Sequence, residues 1–179
     1  MALDAYMRLT SDVQGEIKGS VIQAGREDSI LVIAYSHEVD SPRDAASGLP
    51  TGKRQHKPLI VTKEIDKSTP LLMRALINNE NMTDMELRFW RPSKSGKEKQ
   101  YFTIQLQNAR IVNIQQEMLN NQYPENMRHK VREHITFVYQ KIVWTYEDGG
   151  ISTEDTWEEN SAASTLRKPP KRRLSGLTR

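Results

Sequence analysis

Residues 133–147, EHITFVYQKIVWTYE, restrict the fold more than any other stretch of this chain. They are rich in β-branched and aromatic residues, which favour strands. Strict alternation places Ile135, Phe137, Tyr139 and Val143 on one face and Val138, Ile142, Trp144 and Tyr146 on the other. The run Ser29-Ile30-Leu31-Val32-Ile33-Ala34-Tyr35 is likewise apolar on both sides. A small barrel standing alone needs only its inner face apolar. The second face must therefore be covered by a helix, a second sheet or another copy of the chain. A second sheet of a sandwich could absorb this face; a face buried against a neighbouring copy would favour a ring or tube over a monomer.

The remaining periodicity is also mostly that of strands. Leu3 to Leu9 and Leu59-Ile60-Val61-Thr62 read as strands, and Met85, Leu87 and Phe89 alternate with polar neighbours. A Pro92–Gly96 turn joins that last run to Phe102, Ile104 and Leu106 as a hairpin. A further strand from Ala109 to about Met118 follows, and Asp148-Gly149-Gly150 marks a tight turn into a last strand, Ile151 to Trp157.

One segment departs from this rhythm. In DKSTPLLMRALINN, residues 66–79, Ser68 or Thr69 is a candidate N-cap and Pro70 suits the first helical turn. Leu72, Ala75 and Leu76, with Leu71 and Ile77, form an apolar stripe, and Asn78-Asn79 is a stop. A helix over about 69–79 would span roughly 15 Å, too little to cover a sheet by itself. The expected fold is mainly β: a small barrel or sandwich of about 7–8 antiparallel strands with one flanking helix.

The chain has 179 residues, enough for one domain, and no cysteine, which excludes disulfides and thiol nucleophiles. Its net charge of +3 conceals an asymmetry. The segment 160–179 carries Arg167, Lys168, Lys171, Arg172, Arg173 and Arg179 and no acid; removing these six from 26 leaves 20 basic side chains against 23 acidic. We expect a folded body over 1–159 and a basic, disordered tail over 160–179. The opening MALDAYMRLTSD has neither the charged nor the apolar region of a signal peptide, and no apolar run reaches the roughly 20 residues of a membrane span.

Catalytic patterns are missing from the sequence. His37, His56, His129 and His134 share no metal-site spacing and read as surface or strand histidines. Gly48-Leu49-Pro50-Thr51-Gly52-Lys53 lacks the spacing and setting of a phosphate loop. The carboxylates Asp148, Glu154, Asp155, Glu158 and Glu159 fit a solvated hairpin rim better than a cation site. No catalytic, cofactor-binding or metal residue is assigned. The basic tail could attract nucleic acid or anionic lipid, but the body offers no basic–aromatic interleaving on which bases stack, and neither partner is expected. Residues 39–55, VDSPRDAASGLPTGKRQ, read as a long aperiodic loop, and long ordered loops generally have a task.

Several stretches together resemble the Hcp (haemolysin-coregulated protein) family, the tube subunit of bacterial type VI secretion systems. They are Met1-Ala2-Leu3-Asp4-Ala5-Tyr6-Met7, the passage from Thr51-Gly52-Lys53 to His56-Lys57-Pro58, TKEIDKSTPLL at 62–72, and ITFVYQKIVWTYEDGGISTEDTWEE at 135–159. The resemblance covers about residues 1–159 and implies a phage tail-tube-like β-barrel that forms homohexameric rings stacked into a tube. It implies a non-enzymatic subunit made in the bacterial cytoplasm and secreted without a signal peptide, to the exterior or into target cells. Its implied partners are sheath, spike and baseplate proteins and small effectors carried in the pore. The loop residues Asp40, Pro42, Leu49, Pro50, Thr51 and Gly52 would then contact other subunits or rings. Pro70, Leu72, Ala75 and Leu76 would belong to a structural brace. A phage or phage-derived tail tube protein is an alternative; a secreted toxic enzyme and a monomeric ligand-binding barrel are rivals of other classes.

Overall fold

The computed structural model describes residues 4–93 and 96–157. The first strands are β1 (Ala5–Ser11), β2 (Gly15–Ile17), β3 (Ile30–Ser36), β4 (Val39–Asp40), β5 (Gln55–His56) and β6 (Leu59–Glu64). The helix α1 (Thr69–Ile77) comes next. After it run β7 (Met82–Pro92), β8 (Glu98–Glu117), a 3-10 turn Pro124–Asn126, β9 (Arg132–Val138), β10 (Lys141–Tyr146) and β11 (Ile151–Thr156). All strand pairs are antiparallel. The strands β8, β7, β1, β3, β6 and β9 follow one another around a barrel that the β8–β9 ladder closes. The expected basic tail over 160–179 lies outside the described residues.

Two strands expected from the sequence, Phe102–Leu106 and Ala109–Met118, are one strand of 20 residues. Its length serves two neighbours: Phe102 to Gln107 pair with β10, and Arg110 to Glu117 pair with β9. The expected single strand over 133–147 is correspondingly two, β9 inside the barrel and β10 on its flank, where β11 pairs with it.

This junction revises the two-faced reading of 133–147. Three neighbouring strands each bury residues three apart: Met82 and Met85, Leu106 and Ala109, Tyr139 and Ile142. The pairs are in register, Met82 opposite Ala109 and Leu106 opposite both Met85 and Ile142. Asn108 sits in this crease with φ 51°, a backbone region that Asn tolerates better than most residues. Crossing the crease switches which parity faces inward. Ile135, Phe137 and Tyr139 are buried before it and Ile142 after it. Much of the apparent double coverage is one core reached from successive parities.

β3 differs. A bulge at Ile33 interrupts its ladder with β6. Ile30 and Val32 are buried, whereas Leu31 and Ile33 remain 41% and 54% exposed, beside Ile60 of β6 at 39%. Here the outward apolar face is real. Part of the neighbouring surface is covered by the chain's own connection 18–29. From it, the guanidinium of Arg26 lies 3.9 Å from the Trp90 ring and 4.8 Å from the Tyr6 ring.

The helix braces the barrel and is fixed at both ends. Leu72 and Ala75 join the core, Leu71 and Leu76 are half-buried beside it, and Ile77 is exposed rather than part of the stripe. Pro70 falls in the first turn as expected. Neither Ser68 nor Thr69 caps through its hydroxyl, because stronger partners take both. The Ser68 hydroxyl donates to the Asp66 carboxylate at 2.5 Å, and the Ser68 N–H donates to the same oxygen at 2.9 Å. The Thr69 hydroxyl donates to Glu133 Oε1 at 2.9 Å and accepts from Lys63 Nζ at 3.1 Å. At the other end Asn79 adopts φ 52°, with Asn79 N–H bonded to Leu76 O and Glu80 N–H to Ala75 O, a left-handed stop that satisfies the last carbonyls. The buried Glu80 carboxylate then accepts from Ser11 Oγ at 2.5 Å and Gln14 Nε2 at 2.7 Å.

Candidate functional site

The segment 39–55 is a built hairpin, not an aperiodic loop. β4 and β5 pair through Val39 opposite His56 and Asp40 opposite Gln55, and Arg43 bridges to Pro50 further out. Thr51 N–H donates to Pro42 O at 3.0 Å, and any side chain added at Gly52 would lie against the Pro42 ring. At the tip the Asp44 carboxylate accepts from Ala46 N–H and Ser47 N–H, and Gly48 takes φ 69° to turn the chain. Leu49 is presented there with 65% of its surface exposed. Asp40 pairs with Lys57 at 3.5 Å near the base. The contact residues expected from the sequence thus lie along one protruding ribbon: Asp40 near its base, Pro42, Thr51 and Gly52 along its shaft, and Leu49 and Pro50 toward its tip.

The ribbon is tied to the barrel by residues the sequence reading left as ordinary. His37 precedes β4, and His56 closes β5. His37 Nε2 lies 2.6 Å from Tyr139 Oη, and His56 Nδ1 lies 2.9 Å from the same oxygen. His56 Nε2 contacts Asp155 Oδ2 at 2.8 Å, and the Arg54 guanidinium forms a two-pronged pair with the Asp155 carboxylate. Trp157 packs over His56 and Tyr139 with ring centroids 5.8 and 5.5 Å away, and Trp144 lies 6.0 Å from His37.

Charge follows from these contacts. The Arg54 guanidinium holds the Asp155 carboxyl down at about 2 against the opposing effect of burial, with His56 assisting. Burial pushes the Tyr139 phenol well above its ordinary range, and the Asp155 charge adds to the effect. Burial pushes His37 down, and the neighbouring His56 pushes it further. The four ring and carboxylate partners stand at positions 37, 56, 139 and 155, so no local spacing could have revealed them.

Of the other carboxylates near the last turn, Asp148 and Glu154 form ordinary ion pairs, and Glu158 and Glu159 lie outside the described residues. Asp148 pairs with Arg91 and Lys99, and Glu154 with Lys141. A second surface feature is the apolar strip of Leu31, Ile33 and Ile60 on the barrel's exterior. The ribbon and this strip share one property: each presents apolar side chains that the single chain leaves uncovered.

The family model described as "Type VI secretion system effector, Hcp" matches residues 6–146. The chain belongs to the Hcp family. The Major exported protein of Pseudomonas aeruginosa is 42% identical to it over 166 residues, covering 88% of this chain and 96% of that protein. A crystal structure of an Hcp protein superposes with a TM-score of 0.82 at 32% identity, covering 88% of this chain and 99% of its own. Hcp1 of E. coli EAEC 042 gives a TM-score of 0.78 at 35% identity, covering 87% and 99%. The mainly β barrel with its single helix is therefore the Hcp fold. The family is one of structural type VI secretion proteins.

Proposed function

We propose that this Hcp-family chain is a structural, non-enzymatic tube subunit that forms hexameric rings stacked into a tube. On this reading it is exported when the secretion machine fires and carries small effectors in the pore, and sheath, spike and baseplate proteins are its partners. We assign the ribbon residues Asp40, Pro42, Leu49, Pro50, Thr51 and Gly52 to contacts between subunits or rings.

One observation carries this reading. The barrel interior is filled by its own side chains, among them Met7, Leu9, Leu59, Val61, Met85, Leu87 and Phe137, all 2% exposed or less. A six-stranded barrel is too narrow for a channel. Any conduit must lie between copies, and the uncovered apolar residues Leu31, Ile33 and Ile60 sit on the exterior, where copies would meet. The relative named Major exported protein supports export.

Light scattering on the purified full chain tests the assembly. A mass about six times 20.6 kDa is expected, with annular particles in negative-stain images. A mass of one chain under all concentrations and salts tried would overturn the reading.

A further inference from the structure

We propose that His37, Tyr139 and His56 form a proton-counting latch that holds the ribbon 39–55 to the barrel while the two histidines share at most one extra proton, and releases it when both are charged. The argument is one of donors and acceptors. With both histidines neutral, one arrangement satisfies every contact. His37 Nε2–H donates to Tyr139 Oη, whose own proton goes to His56 Nδ1, and His56 Nε2–H donates to the Asp155 carboxylate.

A single added proton is accommodated by reversing the chain. His56 then carries protons on both ring nitrogens and donates through Nδ1 to Tyr139 Oη. The added proton enters at His37 Nδ1, the Nε2 proton passes to Tyr139 Oη as the phenol proton passes to His56 Nδ1, and the phenol then donates to the bare His37 Nε2. A second proton has no such place. His37 Nε2–H and His56 Nδ1–H would then both aim at one phenol oxygen, and the phenol proton would be left in a buried site with neither histidine able to accept it.

Charge acts in the same direction. The two imidazoles are 6.5 Å apart, and Asp155, the carboxylate in contact with the pair among the described residues, is also engaged by Arg54. The groups facing the cluster are His37, Arg54 and His56 from the ribbon and its flanks, Tyr139 from the end of β9, and Asp155 from β11. Asp12 and Arg110 line the open cavity on the far side of Tyr139. Double protonation would place two positive imidazoles side by side. Burial already disfavours charge on His37, so its folded value lies below its unfolded one. The stabilisation is therefore complete above about pH 6.5 and is lost as pH falls below it.

The latch concerns the ribbon alone; its consequence for assembly rests on the contact role proposed above. Hydrogen–deuterium exchange of residues 39–56 in the full chain, corrected for the intrinsic pH dependence, tests it. In the wild-type chain exchange of the ribbon should rise at least about tenfold between pH 7.5 and pH 5. Tyr139→Phe keeps the ring packing, removes the shared hydroxyl, and should exchange fast at both pH values. His37→Gln retains a donor that does not titrate and should keep the ribbon protected at pH 5. PH-independent exchange in the wild type, or His37→Gln opening at the wild-type midpoint, would overturn the latch. Light scattering on the same samples reads assembly separately: a ring that persists while the ribbon is open counts against the ribbon's contact role and not against the latch.

Discussion

Lys63 Nζ lies 2.8 Å from Glu133 Oε1, and solvent reaches neither side chain. Lys63 also reaches Asp66 Oδ1 at 2.8 Å and Glu64 O at 2.9 Å, so the ammonium is fully coordinated beneath the first turn of α1. Glu133 is held further by Thr69 Oγ1 and Gln116 Nε2. This inward cluster diverts the Thr69 hydroxyl from capping and fixes where the helix begins.

Removing one member should cost far more than removing both. Lys63→Met leaves the Glu133 carboxylate buried without a cation, at a cost of about 3–5 kcal/mol. The double variant Lys63→Met, Glu133→Leu should recover a large part of that loss, because Glu133 is no longer stranded, while Asp66 loses its cation and keeps only its Ser68 donors. Denaturant midpoints of the two variants check this. Equal losses would mean that the ion pair is not the unit on which the helix start depends.

The two faces of α1 should answer truncation differently. Leu72 is fully buried in the core, so Leu72→Ala removes packed methyl groups and leaves a cavity, costing about 2–5 kcal/mol. Ile77 is exposed, and Ile77→Ala should lie within about 0.5 kcal/mol of wild type. Thermal melts in parallel decide the matter, and a comparable loss at Ile77 would place the helix on the barrel with the wrong face.

Much of this was legible in the sequence, and the failures have physical causes. Pro70 and the Asn78-Asn79 stop bounded the helix because both act through backbone geometry that is local in the chain. Inward parity was misread beyond Tyr139, at Ile142 and Val143, because the chain crosses a crease where Asn108, 31 residues upstream of Tyr139 in a neighbouring strand, takes a left-handed backbone. The ribbon 39–55 lacked alternation because only two residues on each side form a regular ladder; the rest depends on Asp44, Gly48 and Pro42. His37 and His56 read as ordinary because their partners Tyr139 and Asp155 arrive from the far end of the chain. The outward residues Leu31 and Ile33 were the part of the two-faced argument that survived intact.

Asp155 should make stability fall at strongly acid pH. Its folded value of about 2 lies below that of an unfolded aspartate, about 3.9. The stabilisation is thus present above about pH 4 and lost as pH drops toward 2. Its worth is about 1 kcal/mol after discounting for the 45% exposure of the Arg54 side chain. Asp155→Asn should melt below wild type at pH 7, and the gap should close by pH 2. A gap that persists unchanged at pH 2 would show that the side chain acts by packing and not through its charge.

Assembly and folding should separate at the exposed apolar positions. Leu49 stands on the ribbon tip with 65% of its surface exposed, and Ile33 sits in the β3 bulge at 54%. Neither position requires an apolar side chain for the fold of one chain, since surface substitutions away from packed or polar networks change stability by about 0.5 kcal/mol or less. Between copies the balance reverses: a carboxylate placed in a desolvated contact loses its hydration without gaining a partner. Leu49→Asp and Ile33→Asp should therefore keep the wild-type circular dichroism and lower the mass read by light scattering toward that of one chain. Ile33 shares the exposed outer side of β3 with Leu31, so its substitution should break the contacts around the barrel's outer face. Leu49 projects away from the barrel on the ribbon and should act on whichever neighbour the ribbon reaches. If both variants assemble with the wild-type mass, the uncovered apolar surface is not where copies meet.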